Sequence, residues 1–434
     1  MDKMADVLGR AGAWCGQNKY LSAIKNAFQN FMPLTIAGAI GVLWCNVLVN
    51  ESTGLGIFFK PIMALEFLNP AFQAVNFCTI SCITVGITLG IAQEIGVWNM
   101  GAEKAGYIPG LVGLAAWLSV TNTSHMVEGA KEAFTGIAGN ELGATGLFTG
   151  MIIGVLSVEL FCFFEKQDAL KIKMPEQVPP GVARAFEVLV PATITLIITA
   201  CIGSACYNLT GLYLNDVIKN GIQGPLGAVG ATIPGVMIIY LVIMLFWLVG
   251  IHGNNMLSAV KEALFTPLAL ENVEAFNKGG TPKNIINMYF LQMCGEFGGS
   301  GVTIGLVIAI MIFGKREDNK AIASLSLVPG LFNINETVTF GIPMVLNPIL
   351  GIPFVFACLV TILVGYVLTV IGFCPVACLT VPWTTPPIVF GFLATGANVM
   401  GAVTQAILIV VSTVIYVPFL IAYEKYQNKQ AAEA

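Results

Sequence analysis

The chain has 434 residues, of which 56% are apolar and only 10% charged, with a formal net charge of −4 and a mean hydropathy of +0.83. Soluble domains carry about 25% charged residues, so this composition excludes a soluble enzyme, while the small net charge carries little information and implies no nucleic-acid partner. It predicts an all-α integral membrane protein with about ten crossings of about 20 residues each. The crossings are helices rather than barrel strands, because the apolar runs do not alternate.

Residues 1–28 place Leu8, Trp14, Leu21, Ile24 and Phe28 among polar residues near the helical period, which predicts an interfacial amphipathic helix. No basic head followed by an apolar core marks a cleavable leader. Four crossings follow near Phe31 to Val49, Asn76 to Trp98, Tyr107 to Thr121 and Gly146 to Phe164. Lys3, Arg10, Lys19 and Lys25 precede them, and Lys166, Lys171, Lys173 and Arg184 follow them. Both clusters therefore belong on one side, the cytoplasm by the positive-inside rule. Lys425 and Lys429 put the C-terminal tail there too, which requires an even number of crossings.

A fifth span runs near Phe186 to Cys206, and Gly211 to Thr232 reads as a flat or bent connector. The sixth covers Ile233 to Ile251. Lys261, Lys278, Lys283 and "GKREDNK" (Gly314 to Lys320) are then cytoplasmic, so Asn284 to Phe313 must enter the membrane and return. "GEFGGSG" (Gly295 to Gly301) is the expected break, and Leu327 to Pro348 has the same glycine- and proline-rich character. Irregular backbone at membrane depth must line a cavity or be buried in protein, which places the binding cavity in the second half. Pro353 to Phe373 and Met400 to Tyr423 are uncharged spans. The expected division is an N-terminal half at 1–206, an amphipathic connector at 207–232, a substrate-binding domain at 233–423 and a cytoplasmic tail at 424–434.

Four groups of residues are candidates for chemistry. Glu336 lies in "GLFNINETVTFGIPMVLNP", and after it no Lys, Arg, Asp, Glu or His occurs from Thr337 to Tyr423. An ionisable group inside the membrane faces a cavity or a partner, and with no cation nearby in sequence a ligand is the natural partner. The competing reading is a carboxyl that stays protonated or bonds the amides of Asn333 and Asn335. His252, in "WLVGIHGNN", is either a helix-end cap or a hydrogen-bonding group for a polar ligand, with Gly250 and Gly253 permitting close approach. His125, in "TNTSHMVEGAKEAF", reads as a loop residue. Trp383, in "LTVPWTTPPIVFG", is either an interfacial belt residue or a face for a sugar ring. Glu94 and Glu159 sit near span ends, where snorkelling is the default. The dispersed cysteines read as small buried hydrophobes. Cys78/Cys82 and Cys374/Cys378 are spaced i, i+4, yet no His or carboxylate completes a metal site.

Together these motifs resemble the lactose/cellobiose/chitobiose family of phosphotransferase-system membrane subunits, the enzyme IIC components. The matching segments are "NKYLSAIKNAFQNFMPLTIAGA", "MPEQVPPGVARAFEVLVP", "GIHG", "TPLALENVEAF", "GGSGVTIGL", "FNINETVTFGIPMVLNP" and "PWTTPP". Two positions depart from the family pattern: Thr337, where proline is usual, and Glu296, an acidic residue before the Gly-Gly-Ser-Gly block. The resemblance implies ten spans plus two re-entrant hairpins, a homodimer formed through the N-terminal half, and elevator-like movement of the C-terminal half. It implies a bacterial cytoplasmic membrane protein that carries a β-linked disaccharide or β-glucoside, without metal or cofactor. On matching positions, His252 and Glu336 bind the hydroxyl that is phosphorylated, Trp383 stacks on a sugar ring, and Gly253, Gly299, Ser300, Asn333 and Asn335 complete the site.

No appended soluble domain carrying a phosphocysteine is evident, so a separate enzyme IIB is expected to dock near Lys278, Lys283 and Lys315 to Lys320. Two other classes compete. An ion-coupled sugar symporter also needs buried carboxylates and broken helices. A membrane-embedded hydrolase would need paired carboxylates, a His-x-x-x-His motif or a Gly-x-Ser-x-Gly elbow, and none is evident.

Overall fold

The computed structural model describes the chain apart from residues 1–9, 11–13, 15–16, 52–55, 57–58, 126–133, 176, 343 and 434. It divides into two compact units, one formed by 17–38 with 74–227 and the other by 1–16, 39–73 and 228–434. The grouping of 39–73 with the C-terminal segments has no counterpart in the sequence pattern.

In the first unit the helices are α1 (Lys19–Leu43, which continues past this unit), α2 (Ile83–Met100), α3 (Ile108–Val120), α4 (Ala144–Glu165) and α5 (Pro180–Thr210). Glycines let them approach closely, as is usual between membrane helices. A Cβ on Gly154 would lie 3.1 Å from the Thr88 carbonyl, and one on Gly203 3.2 Å from Val120 Cα. Ala116, Trp117, Val120 and Ile153 form a buried apolar cluster.

Glu159 pairs with Lys19 at 2.6 Å, and Glu94 accepts a hydrogen bond from Asn26 Nδ2 at 2.9 Å. Both carboxylates expected to snorkel are thus held by partners on α1. Because α1 runs unbroken from Lys19, Leu21, Ile24 and Phe28 belong to the first apolar helix and not to a separate interfacial one; Leu8 lies outside the described residues. Among the described residues the all-helical expectation has one exception, a short antiparallel pairing of Ser124–His125 with Phe134–Thr135. His125 therefore sits on a strand rather than in an irregular loop. Residues 207–210 end α5, and the rest of the connector contains the helical stretches Leu214–Ile218 and Gly224–Gly230 with a π-helical turn at Lys219–Gln223 between them.

The second unit contains α6 (Ile233–Leu248), α7 (Gly253–Met256), α8 (Ser258–Asn277), α9 (Met288–Gly295), α10 (Ile304–Phe313), α11 (Glu317–Leu331), α12 (Glu336–Gly341), α13 (Gly351–Val370), α14 (Val389–Ala394) and α15 (Val399–Glu433). α15 packs on α10, α13 and α14, and α6 packs on α13. α9 and α10 are bent by 59°. The break falls on the expected glycine block, where Gly298, Gly299 and Gly301 have φ of 69°, 88° and 76°, conformations that a side chain resists.

Broken helices free backbone groups that lipid cannot satisfy, and buried polar side chains bond them here. Tyr416 donates to the Gly301 carbonyl at 2.8 Å, and Thr303 Oγ1 to the Gly298 carbonyl at 2.6 Å. Gln405 accepts from the Ile388 and Gly391 amides and donates to the Met293 carbonyl. Asn272 and Asn287 both donate to the Ala377 carbonyl, at 3.0 and 3.1 Å. Asn287 also caps α9 by accepting from the Tyr289 and Phe290 amides.

Among the described residues, five helices are long and apolar enough to cross a membrane, or up to seven if each of two bent pairs is one span. α3 and α6 are shorter apolar helices. This is a multi-span helical membrane protein.

Candidate functional site

Two short helices of the second unit bring the charged candidates together. α7 spans four residues, and His252 caps it: its Nδ1 accepts from the Asn255 amide at 3.2 Å. A ring nitrogen that accepts carries no proton, so a neutral His252 holds its proton on Nε2. The helix-end cap expected of His252 is present, and because it uses one ring nitrogen it leaves Nε2 outside the cap. The indole of Trp247, the penultimate residue of α6, lies 4.4 Å from the imidazole centroid and holds its plane. Gly253 is buried with no room for a Cβ, which would overlap the Ile243 carbonyl.

Glu336 is the first residue of α12, and its Oε1 is 3.8 Å from His252 Nε2. That distance is too long for a direct hydrogen bond. It suits an intervening hydroxyl about 2.8 Å from each group, accepting from Nε2–H and donating to the carboxylate. The side chains are 37% and 47% exposed, so a ligand can reach both. Trp383, 42% exposed, lies in the non-helical stretch between α13 and α14, in keeping with its proline-rich surroundings.

Asn333 and Asn335 frame this pair. Asn333 has φ of +63°, a conformation Asn tolerates better than most residues. Its Oδ1 accepts from the Gly298 amide at 2.6 Å, and its Nδ2 donates to the carbonyls of Trp383 and Thr385. One amide thereby ties the glycine break, the loop before Glu336 and the Trp383 stretch together. Asn335, buried, donates to the Ser300 carbonyl at 2.8 Å. Gly299 passes so close that a Cβ would lie 2.6 Å from the Asn335 Cβ. The amides of Asn333 and Asn335 thus donate to backbone and not to the Glu336 carboxylate.

Near the pair is a bonded group that sequence patterning did not assemble. Lys261, which the sequence counts among the positive charges of the cytoplasmic side, is buried on α8 with only 8% of its side chain exposed, and it pairs with Glu296. Tyr240 donates to the same Glu296 oxygen at 2.7 Å. Lys261 also donates to Asn254 Oδ1 at 3.4 Å, and Asn254 Nδ2 donates to Ser300 Oγ at 3.0 Å. Trp247, Asn254, Tyr240 and Lys261 carry no local signal of a site. The hint in the sequence was Glu296, an unexpected acidic residue before the Gly-Gly-Ser-Gly block, which is half-buried here.

The family described as "Phosphotransferase system, EIIC" matches residues 25–358. An oligo-beta-mannoside-specific EIIC component of a PTS system in Bacillus subtilis is 34% identical, over 98% of this chain and 94% of that one. A cellobiose-specific EIIC component of Lactococcus lactis is 29% identical over 98% of both. The crystal structure of ChbC, the IIC component of an N,N'-diacetylchitobiose-specific phosphotransferase system, superposes with a TM-score of 0.88 over 97% of each chain, at 29% identity.

Proposed function

Since the chain belongs to the phosphotransferase-system EIIC family and is a membrane permease component that handles a sugar with a IIB partner, we propose that its substrate is a β-linked disaccharide or β-glucoside and that the partner is a separate IIB protein. The named specificities of its relatives, oligo-β-mannosides, cellobiose and diacetylchitobiose, support that substrate class. Family membership favours this over an ion-coupled symporter.

The observation that carries the chemistry is the His252–Glu336 spacing of 3.8 Å. The sugar hydroxyl accepts from His252 Nε2–H and donates to Glu336, which orients its oxygen lone pair toward the incoming phosphoryl group. As the P–O bond to the sugar forms and the bond to the donor breaks, the hydroxyl proton passes to the carboxylate. Holding the oxygen at a fixed place and angle supplies most of the acceleration. Trp383 packs on the C–H face of the ring, while Gly253, Gly299, Ser300, Asn333 and Asn335 shape the pocket.

The wider reading has ten spans with two re-entrant hairpins in a bacterial cytoplasmic membrane, both termini on the cytoplasmic side, and a homodimer through the N-terminal half. Residues 233–423 carry the sugar in an elevator movement. Supporting movement, the chain passes between its two units at 16/17, 38/39, 73/74 and 227/228, and π-helical turns at Trp44–Leu48, Phe77–Ser81 and Lys219–Gln223 lie within a few residues of the last three of these. Such turns mark weak points in a helix. The IIB protein docks near Lys278, Lys283 and Lys315 to Lys320.

Reconstitution in liposomes tests the reading, with labelled cellobiose, lactose, diacetylchitobiose and β-mannobiose offered in parallel. One sugar should equilibrate slowly alone and be trapped as sugar phosphate when phosphorylated IIB is added. Sugar phosphate formed without IIB, or uptake driven by an ion gradient alone, would refute it.

A further inference from the structure

The Lys261–Glu296 pair, its lysine buried and its carboxylate half-buried, takes no part in the chemistry above, yet bonded neighbours lead from it toward both reacting side chains. Lys261 donates to Asn254, which stands on the short helix that His252 caps. Asn254 in turn donates to Ser300 Oγ, and the Ser300 carbonyl receives Asn335, the residue before Glu336. The pair is itself built into the unit. Tyr240, 1% exposed, donates to Glu296, and the backbone beside the pair is closely packed: a Cβ on Gly295 would lie 2.7 Å from Ile362 Cδ1 and 3.1 Å from the Tyr240 ring. The neighbouring carboxylate, Glu262, is occupied with Thr266.

A buried ion pair is a poor source of stability, since desolvation offsets most of the attraction. What it does provide is a fixed donor at a fixed point, held in a bonded network that resists displacement. We propose that Lys261, held by Glu296 and Tyr240, is a positioning residue that acts through Asn254 to set the distance between His252 and Glu336, and with it the affinity for sugar. This rests on the sugar-site reading above.

The test uses the purified full chain and equilibrium binding of labelled cellobiose, lactose, diacetylchitobiose and β-mannobiose, with thermal unfolding measured on each variant. Asn254→Ala cuts the link while leaving the ion pair intact, so it should fold like the parent and bind about tenfold more weakly. Lys261→Met should weaken binding at least as much, and adding Asn254→Ala to it should cost little more, because the two residues act in series. The charge-swapped double variant Lys261→Glu/Glu296→Lys restores neutrality but not the lysine donor to Asn254. It should recover thermal stability over Lys261→Met while binding stays weak, a separation that a purely structural role would not produce.

Parent-like binding by Asn254→Ala, multiplied losses in the double variant, or full recovery of binding in the charge swap would each overturn the inference. Glu336→Gln runs alongside. If it abolishes binding while Asn254→Ala does not affect it, positioning through Lys261 fails and the sugar site stands. If Glu336→Gln binds like the parent, or the parent binds none of the four sugars, both fall.

Discussion

Asn333 offers the sharpest test of how the site is held. Its side chain makes three hydrogen bonds to backbone, one accepted from Gly298 and two donated to Trp383 and Thr385, and its own backbone is left-handed at φ +63°. Asn333→Ala removes all three bonds. At about 1 kcal/mol net for each in a half-exposed position, that is about 3 kcal/mol, and alanine in the left-handed region adds about 1 kcal/mol. Asn333→Gly loses the same bonds without the backbone cost, so the two variants should differ by about that last amount.

The loss falls on the junction of three segments that frame the pocket, so sugar affinity should drop with stability in both variants. The measurements are thermal unfolding and equilibrium sugar binding on the same preparations. Asn333→Ala with parent-like affinity would refute the idea that this amide braces the site. Glycine no more stable than alanine would refute the backbone part of the estimate.

Glu336→Gln keeps size but removes the charged acceptor, so sugar phosphorylation with IIB present should fall by roughly ten- to a hundredfold; unchanged turnover would refute its role. His252→Ala should behave likewise in the same assay, whereas His125→Ala, on a short hairpin of the other unit, should be nearly silent. Trp383→Ala should weaken equilibrium sugar binding more than Trp383→Phe, and equal, parent-like binding by both would make Trp383 a membrane anchor. Gly299→Ala meets both an unfavourable φ of +88° and Asn335 at 2.6 Å, so binding and thermal stability should both fall; a variant that behaves like the parent in both would refute the close packing there.

Local signals carried the sequence a long way. Lipid cannot satisfy free backbone groups, so each crossing announces itself as an apolar run. α4 at Ala144–Glu165 and α5 at Pro180–Thr210 stand where those runs predict. Left-handed backbone selects glycine, so the break between α9 and α10 was legible in "GEFGGSG". An isolated carboxylate beside a long uncharged stretch singled out Glu336 before any geometry was known. Partnership across the chain was not legible. Lys261 reads from sequence only as one positive charge among several, because nothing in its own segment shows that Glu296 and Tyr240 converge on it. Glu94 and Glu159 look like snorkelling residues until Asn26 and Lys19 on α1 are placed beside them. Asn333 has the composition of a ligand, yet its amide is directed at backbone from two other segments. Hydropathy and backbone preference are properties of neighbours in sequence and can be read there, whereas a hydrogen bond or ion pair between distant residues exists only once packing has set their distance and direction.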